Sequence, residues 1–194
     1  GVFTRDDAKE FLKFLESPEE SMRSWAWLRV GKLVEHGVFT PEEVKERKRY
    51  LFELLESSDK SVREWAWGSV DELVKHGVFT RDDAKEFLKF MESKDEDVRE
   101  MAWNEVVDLV EHGVFTRDDA KEFLKFLESP EESMRSWAWL RVGKLVEHGV
   151  FTPEEVKERK RYLFELLESK DEDVRERAWG SVDELVKHGV FTRD

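Results

Sequence analysis

Apolar residues return every three or four positions along the chain. Between Arg5 and Glu16 they fall at Ala8, Phe11, Leu12 and Leu15, and the next stretch, to about Glu35, carries Met22, Ala26, Val30, Leu33 and Val34. Spacing of this kind gathers the apolar side chains on one face of a helix. Ser17, with Pro18 next and Glu20 three positions on, has the form of a capping box opening the second helix. The same two patterns follow at Val44, Leu51, Leu54 and Leu55, and then at Val62, Ala66, Val70, Leu73 and Val74. Here the first helix is longer by Arg47-Lys48-Arg49-Tyr50. Four residues are close to one turn, so a single continuous helix with its stripe nearly intact is expected.

Between the patterns stands one connector, His36-Gly37-Val38-Phe39-Thr40, which returns at His76, His112, His148 and His188. Gly37 suits the left-handed residue that ends a helix, and Val38 can close back over Leu33. Thr40 opens the next helix with Glu43 completing a capping box, Pro41 at the first helical position and Phe39 placed to staple onto Val44.

The motif Gly-Val-Phe-Thr begins at 1, 37, 77, 113, 149 and 189. A recurring period of this size predicts stacked two-helix bricks, each needing a neighbour to bury its apolar face. The expected repeats are 1–36, 37–76, 77–112, 113–148 and 149–188, with 189–194 as a partial cap, all in one domain of residues 1–194. Residues 113–169 copy residues 1–57 without change, and 1–82 differs from 113–194 only at Ser58/Lys170, Lys60/Glu172, Ser61/Asp173 and Trp65/Arg177. Identity that extends to surface positions points to concatenation or recombination of a parent repeat. A chain that opens without Met, and begins and ends inside one motif, fits that expectation.

The runs Asp59-x-x-Val62-Arg63-x-x-Ala66 and Asp95-x-x-Val98-Arg99-x-x-Ala102 resemble the second helix of HEAT-type repeats. All five repeats carry the pattern, with Glu19 and Glu131 in place of Asp, and Met22 and Met134 in place of Val. The Trp after the Ala (Trp27, Trp67, Trp103, Trp139, Trp179) and the connector depart from it. The resemblance implies an all-α, right-handed α-solenoid of five helix-turn-helix repeats and ten helices. It also implies protein binding along a concave surface lined by the second helices.

Comparing the repeats with one another separates scaffold from candidate surface. Arg23, Ala26, Trp27, Val30, Leu33, Val34 and His36 are identical in all five and read as fold. The positions that vary cluster on one second-helix face, giving the candidate protein-binding set Trp25, Leu28, Arg29, Lys32, Trp65, Ser69, Glu72, Met101, Asn104, Glu105, Trp137, Leu140, Arg141 and Arg177. Unit-for-unit identity with the fourth repeat, which must pack on the third, leaves the first repeat's outer face exposed. Phe11, Phe14 and Trp27 are therefore candidates for self-association. Arg177 in place of Trp65, with the tail from Gly189 to Asp194, is expected to blunt the other end.

Composition narrows the chemistry. A net charge of −13, with 46 acidic against 33 basic residues, argues against duplex nucleic acid and anionic membranes as partners. The basic clusters Arg47-Lys48-Arg49-Tyr50 and Arg159-Lys160-Arg161-Tyr162 read as solvated ridges on first helices. With no cysteine there is no disulfide, thiolate metal site or thiol nucleophile. No apolar run approaches the ~20 residues of a membrane helix, and no signal-peptide pattern is present; this leaves the location open and, for a natural protein, makes a soluble, cytoplasmic-type one the expectation. The five His form no metal ladder, since copies one repeat apart lie ~10 Å from each other. Asp6-Asp7 and Glu42-Glu43 belong to helix first turns, where the dipole favours acids. Trp25 and Trp27 point about 200° apart on a helix, so the pair cannot cage one cation. No cofactor, metal or catalytic residue is assigned. The chain reads as a non-catalytic scaffold for self-assembly or protein interaction.

Overall fold

Each connector closes one helix and opens the next as its residues dictate. In the computed structural model, which describes residues 4–193, the glycines of all five connectors take left-handed φ values, Gly37 at 70° and Gly149 at 75°. Val38 N–H bonds the Leu33 carbonyl at 2.8 Å and Gly37 N–H the Val34 carbonyl at 2.9 Å, satisfying the carbonyls that the helix end orphans. Thr40 then accepts from Glu43 N–H while its own N–H bonds Glu43 Oε2 at 3.0 Å. Thr4 and Thr80 do the same with Asp7 and Asp83. The opening Gly1, Val2 and Phe3, and the final Asp194, lie outside the described residues.

The elements in order are α1 (Arg5–Phe14), α2 (Glu20–Glu35), α3 (Pro41–Lys45), α4 (Lys48–Leu55), α5 (Lys60–Lys75) and α6 (Arg81–Ala84), followed by a 3₁₀ helix (Lys85–Glu92). Then come α7 (Glu96–Glu111), a 3₁₀ turn (Arg117–Asp119), α8 (Ala120–Leu127), α9 (Glu132–Glu147), α10 (Pro153–Lys157), α11 (Lys160–Leu167) and α12 (Glu172–Lys187). The described residues contain no strand. The chain divides into two compact units, Gly1–Glu86 and Phe87–Asp194, with the boundary inside the third repeat. The first holds the hairpins α1/α2 and α3–α4/α5. The second holds α7 and the hairpins α8/α9 and α10–α11/α12.

Among the described residues, twelve α-helices and two 3₁₀ segments stand where ten helices were expected. The four-residue insertion does not lengthen a helix; it breaks one. Arg47 N–H bonds the Val44 carbonyl at 3.0 Å instead of Glu43, and the Arg47 guanidinium takes the abandoned Glu43 carbonyl at 2.5 Å. Arg159 repeats the device on Glu155. The second helices also start later than Ser17 suggests. Ser17 accepts from Glu19 N–H, and α2 begins at Glu20. The Ser17 carbonyl is held instead by Arg23, whose Nη1 donates to it at 2.9 Å. Arg63, Arg99, Arg135 and Arg175 bond Ser57, Ser93, Ser129 and Ser169 likewise at 2.7 Å.

The repeated Trp belongs to the same joint. Trp27, Trp67 and Trp139 donate their indole N–H to the carbonyls of Leu15, Leu55 and Leu127 at 3.0 to 3.1 Å. Trp103 finds no such acceptor among the described residues. The segment before it is 3₁₀, and a rise of about 2.0 against 1.5 Å per residue displaces its far end by roughly 4 Å over eight residues.

Second helices approach closely where glycine permits. A Cβ on Gly143 of α9 would stand 2.9 Å from Glu184 Cβ of α12, whereas one on Gly68 of α5 would meet nothing within 4 Å. Alanine normally stabilises a helix interior by about 0.5–1 kcal/mol over glycine. Gly68→Ala is therefore expected to raise the melting temperature and Gly143→Ala to lower it, a contrast that thermal unfolding followed by circular dichroism checks.

Candidate interaction surfaces

The variable second-helix positions do not form one exposed face. Trp25 is 48% exposed and packs at a tilt against half-buried Trp65, with ring centroids 4.8 Å apart. Arg29 and Lys32 are exposed, and Lys32 lies 3.0 Å from Glu35 and 3.9 Å from Glu72. Leu28, Glu72, Met101, Leu140, Arg141 and Arg177 are half-buried, and exposed Asn104 accepts from Arg141 at 2.5 Å. Three candidates are withdrawn from solvent. Ser69 is buried with its hydroxyl on the Ala66 carbonyl, and Glu105 and Trp137 are buried too. Helical spacing assigned them to the varying face, but it could not register how closely neighbouring second helices approach.

Where the first copy packs Trp on Trp, the second uses a cation. The Arg177 guanidinium lies 4.4 Å over the Trp137 ring, and it also bonds Ser136 and Glu96. Arg177 thus faces inward, along the second helices, and blunts no outer surface.

The first hairpin carries an open apolar groove of about 550 Å³, lined chiefly by Phe11, Phe14, Met22, Trp25, Arg29 and Leu33. Phe14 and Met22 are each 44% exposed. In the fourth repeat the same sequence is core: Phe123 and Phe126 are fully buried, with Trp103 centroids 6.5 and 5.5 Å from theirs. Of the three self-association candidates, Phe11 and Phe14 line the groove, and Trp27 does not. It is fully buried, its indole spent on Leu15, because it faces into its own hairpin.

A second apolar surface went unforeseen in the sequence. Trp179 is 59% exposed, and Val186 and Phe164 of the last hairpin are exposed as well. The tail covers part of that hairpin: Val190 is buried and Phe191 stacks on Phe164 at 6.2 Å, leaving Trp179 open. The available signal was that Trp179 is the fifth copy of a Trp buried in the other four.

The basic clusters are largely consumed locally. Lys48 bonds Asp83 at 3.1 Å and Glu86 at 2.5 Å, Arg47 reaches Glu16 at 3.3 Å, and Arg49 lies over the Tyr50 ring. Burial would raise the Asp83 carboxyl, but bonds from Thr80, Lys45 and Lys48 outweigh it and hold it well below the usual range. The His residues cap: His112 Nδ1 meets the Asp108 carbonyl at 2.8 Å, and His188 lies 3.1 Å from Glu184. Among the described residues no group of three His or acids could hold a metal ion, and no helix is long and apolar enough to cross a membrane.

No family model and no curated protein sequence matches the chain. Among solved structures, Cex1p is similar at a TM-score of 0.67 and 18% identity, over 96% of this chain and 36% of Cex1p. The chain spans about a third of the length of that relative, and the likeness shows an all-helical fold. Two engineered proteins align at TM-scores of 0.46 and 0.47 with 17% identity, over 92% and 93% of this chain and 79% and 48% of theirs.

One ion pair supplies a stability test. Arg117 grips Glu155 with two bonds of 2.5 and 2.6 Å, and this holds the Glu155 carboxyl down at about 2 against the opposing effect of burial, with help from Thr152. A carboxyl lower in the folded than in the unfolded chain stabilises above its unfolded value, and the gain is lost as pH falls from about 4.5 toward 2. Discounted for water around half-exposed Arg117, the gain is about 1–2 kcal/mol. Glu155→Gln should therefore weaken the fold by about that much at pH 7 and match the parent near pH 2 in urea titrations.

Proposed function

We propose that the chain is a non-catalytic scaffold of HEAT-like repeats, assembled by deliberate concatenation or recombination, that works through protein contacts. One observation carries this reading: residues that form core in the fourth repeat form an open groove in the first. A surface with the composition of a core gains about 25 cal/mol for each Å² of apolar area it covers, and proteins seldom leave such patches free without use. The groove lining holds Arg29 and Lys32 but no carboxylate or imidazole, which suits contact better than acid–base chemistry. The HEAT-like label draws support from the motif residues themselves, since Asp59 caps α5, Val62 is buried and Arg63 clamps Ser57. A nucleic-acid role gains little from the basic clusters, where Arg47, Lys48 and Arg159 are already paired with carboxylates.

A second reading places a protein or peptide ligand across α2 and α5. Exposed Trp25, packed against Trp65, favours it, because an aromatic pair of this kind is a natural anchor. The two readings share Trp25 and differ at Phe14. At sub-micromolar protein, 1-anilinonaphthalene-8-sulfonate should brighten on the native chain, its rings in the groove and its sulfonate near Arg29 and Lys32. Phe14→Glu with Met22→Glu should remove most of that signal. Brightening that ignores both substitutions, or none at all, would overturn the groove as a contact surface.

A further inference from the structure

Two apolar faces stand uncovered, and the molecule contains its own example of how they fit. Within the second compact unit, α7 presents Trp103 to Phe123 and Phe126 of α8. Phe11 and Phe14 are the copies of Phe123 and Phe126, and Trp179 is the copy of Trp103. Phe14 and Trp179 are exposed and Phe11 is half-buried, where the originals are buried. Resting on the scaffold reading above, we infer that the occupant of the first-hairpin groove is a second copy of this chain, docked head to tail with its Trp179 face on Phe11 and Phe14.

Polar contacts around the internal junction carry over. Arg99 donates to Ser133 at 2.8 Å, and their copies Arg175 and Ser21 can do the same between molecules. Arg141 lies in the field of Glu100 and Asp108, and its copy Arg29 would meet Glu176 and Glu184. Three positions are worse matched. Gly180 replaces Asn104, which accepts from Arg141 at 2.5 Å, and leaves Arg29 without that partner. Asp183 replaces buried Val107, and Lys187 replaces Glu111, the carboxylate 3.7 Å from Lys144. Lys187 would instead confront Lys32. The junction is therefore weaker than the internal one, and association depends on concentration. Because the two faces differ, the contact is heterologous, and each copy leaves one face free to take another.

Phe14→Glu and Trp179→Glu alter exposed side chains, so both variants should melt close to the parent. By sedimentation equilibrium the parent should gain mass with concentration. Each variant alone should stay a single chain, because each has lost one half of the junction. Mixed in equal amounts they should form a 1:1 complex and stop there, through Trp179 of the Phe14→Glu chain and Phe14 of the Trp179→Glu chain. Lys187→Glu, which restores the partner that Lys144 has, should tighten parental association about threefold or more. A Trp179→Glu variant that still self-associates while Phe14→Glu does not would overturn the inference in favour of symmetric pairing through the groove. A parent that remains a single chain at millimolar concentration would overturn it too. In that case dye binding that depends on Phe14 would leave the contact surface standing without this partner, and its absence would remove both.

Discussion

A helix that stops leaves its last carbonyls unpartnered, and burying them unpaired costs about 1–3 kcal/mol each. A short hairpin faces this at its inner turn, where water is being expelled. Here the answer comes from the second helix of the same hairpin. Arg23 and Trp27 reach back across the turn and take the Ser17 and Leu15 carbonyls, one by charge-assisted donation and the other by a buried indole. Four residues apart, the two side chains share a helix face, which is why both can serve one turn. Arg makes this bond in all five repeats, and Trp makes its own in three, at Trp27, Trp67 and Trp139.

Between hairpins, apolar surface and close approach act together with polar contacts such as Arg117 on Glu155 and Ser57 on Glu20. Gly31 brings α2 against α5, where a Cβ would stand 3.2 Å from Glu72 Cβ, and Gly143 does so for α9 and α12. Charges then decorate the seam, as with Lys32 and Glu72 or Lys144 and Glu111. Exposed pairs of this kind contribute at most about 1 kcal/mol, so they tune register more than they hold the hairpins together.

What the sequence disclosed and what it hid divide along a physical line. Connector geometry was legible because it is local: a left-handed Gly, a Val closing on Leu33 and a Thr with an acid three positions on interact only with near neighbours. Helix faces were legible from periodicity. The break at Glu46 and Arg47 was not, since it depends on a guanidinium replacing a backbone donor, and no spacing rule encodes that. Nor was the burial of Ser69, Glu105 and Trp137, which neighbouring helices decide. The groove was half legible. Phe11 and Phe14 followed from repeat identity, while Trp27 was misassigned because its tie to Leu15 is tertiary.

The exact duplication makes the molecule its own control. Residues 1–57 and 113–169 have one sequence, so any difference between them is imposed by surroundings. Trp25 is exposed where Trp137 is buried, and Phe14 is exposed where Phe126 is buried. Arg5 lies 3.9 Å from Glu43, whereas Arg117 grips Glu155 at 2.5 Å. Intrinsic preference cannot account for these contrasts, because it is the same in both copies. Position in the array does. A side chain that is core in one copy therefore becomes surface in the other, and its apolar character there is a consequence of copying as much as of use. Exposed Phe14 and Trp179 are copies of two side chains that meet inside the molecule, Phe126 and Trp103, and the proposal that they meet between molecules rests on this.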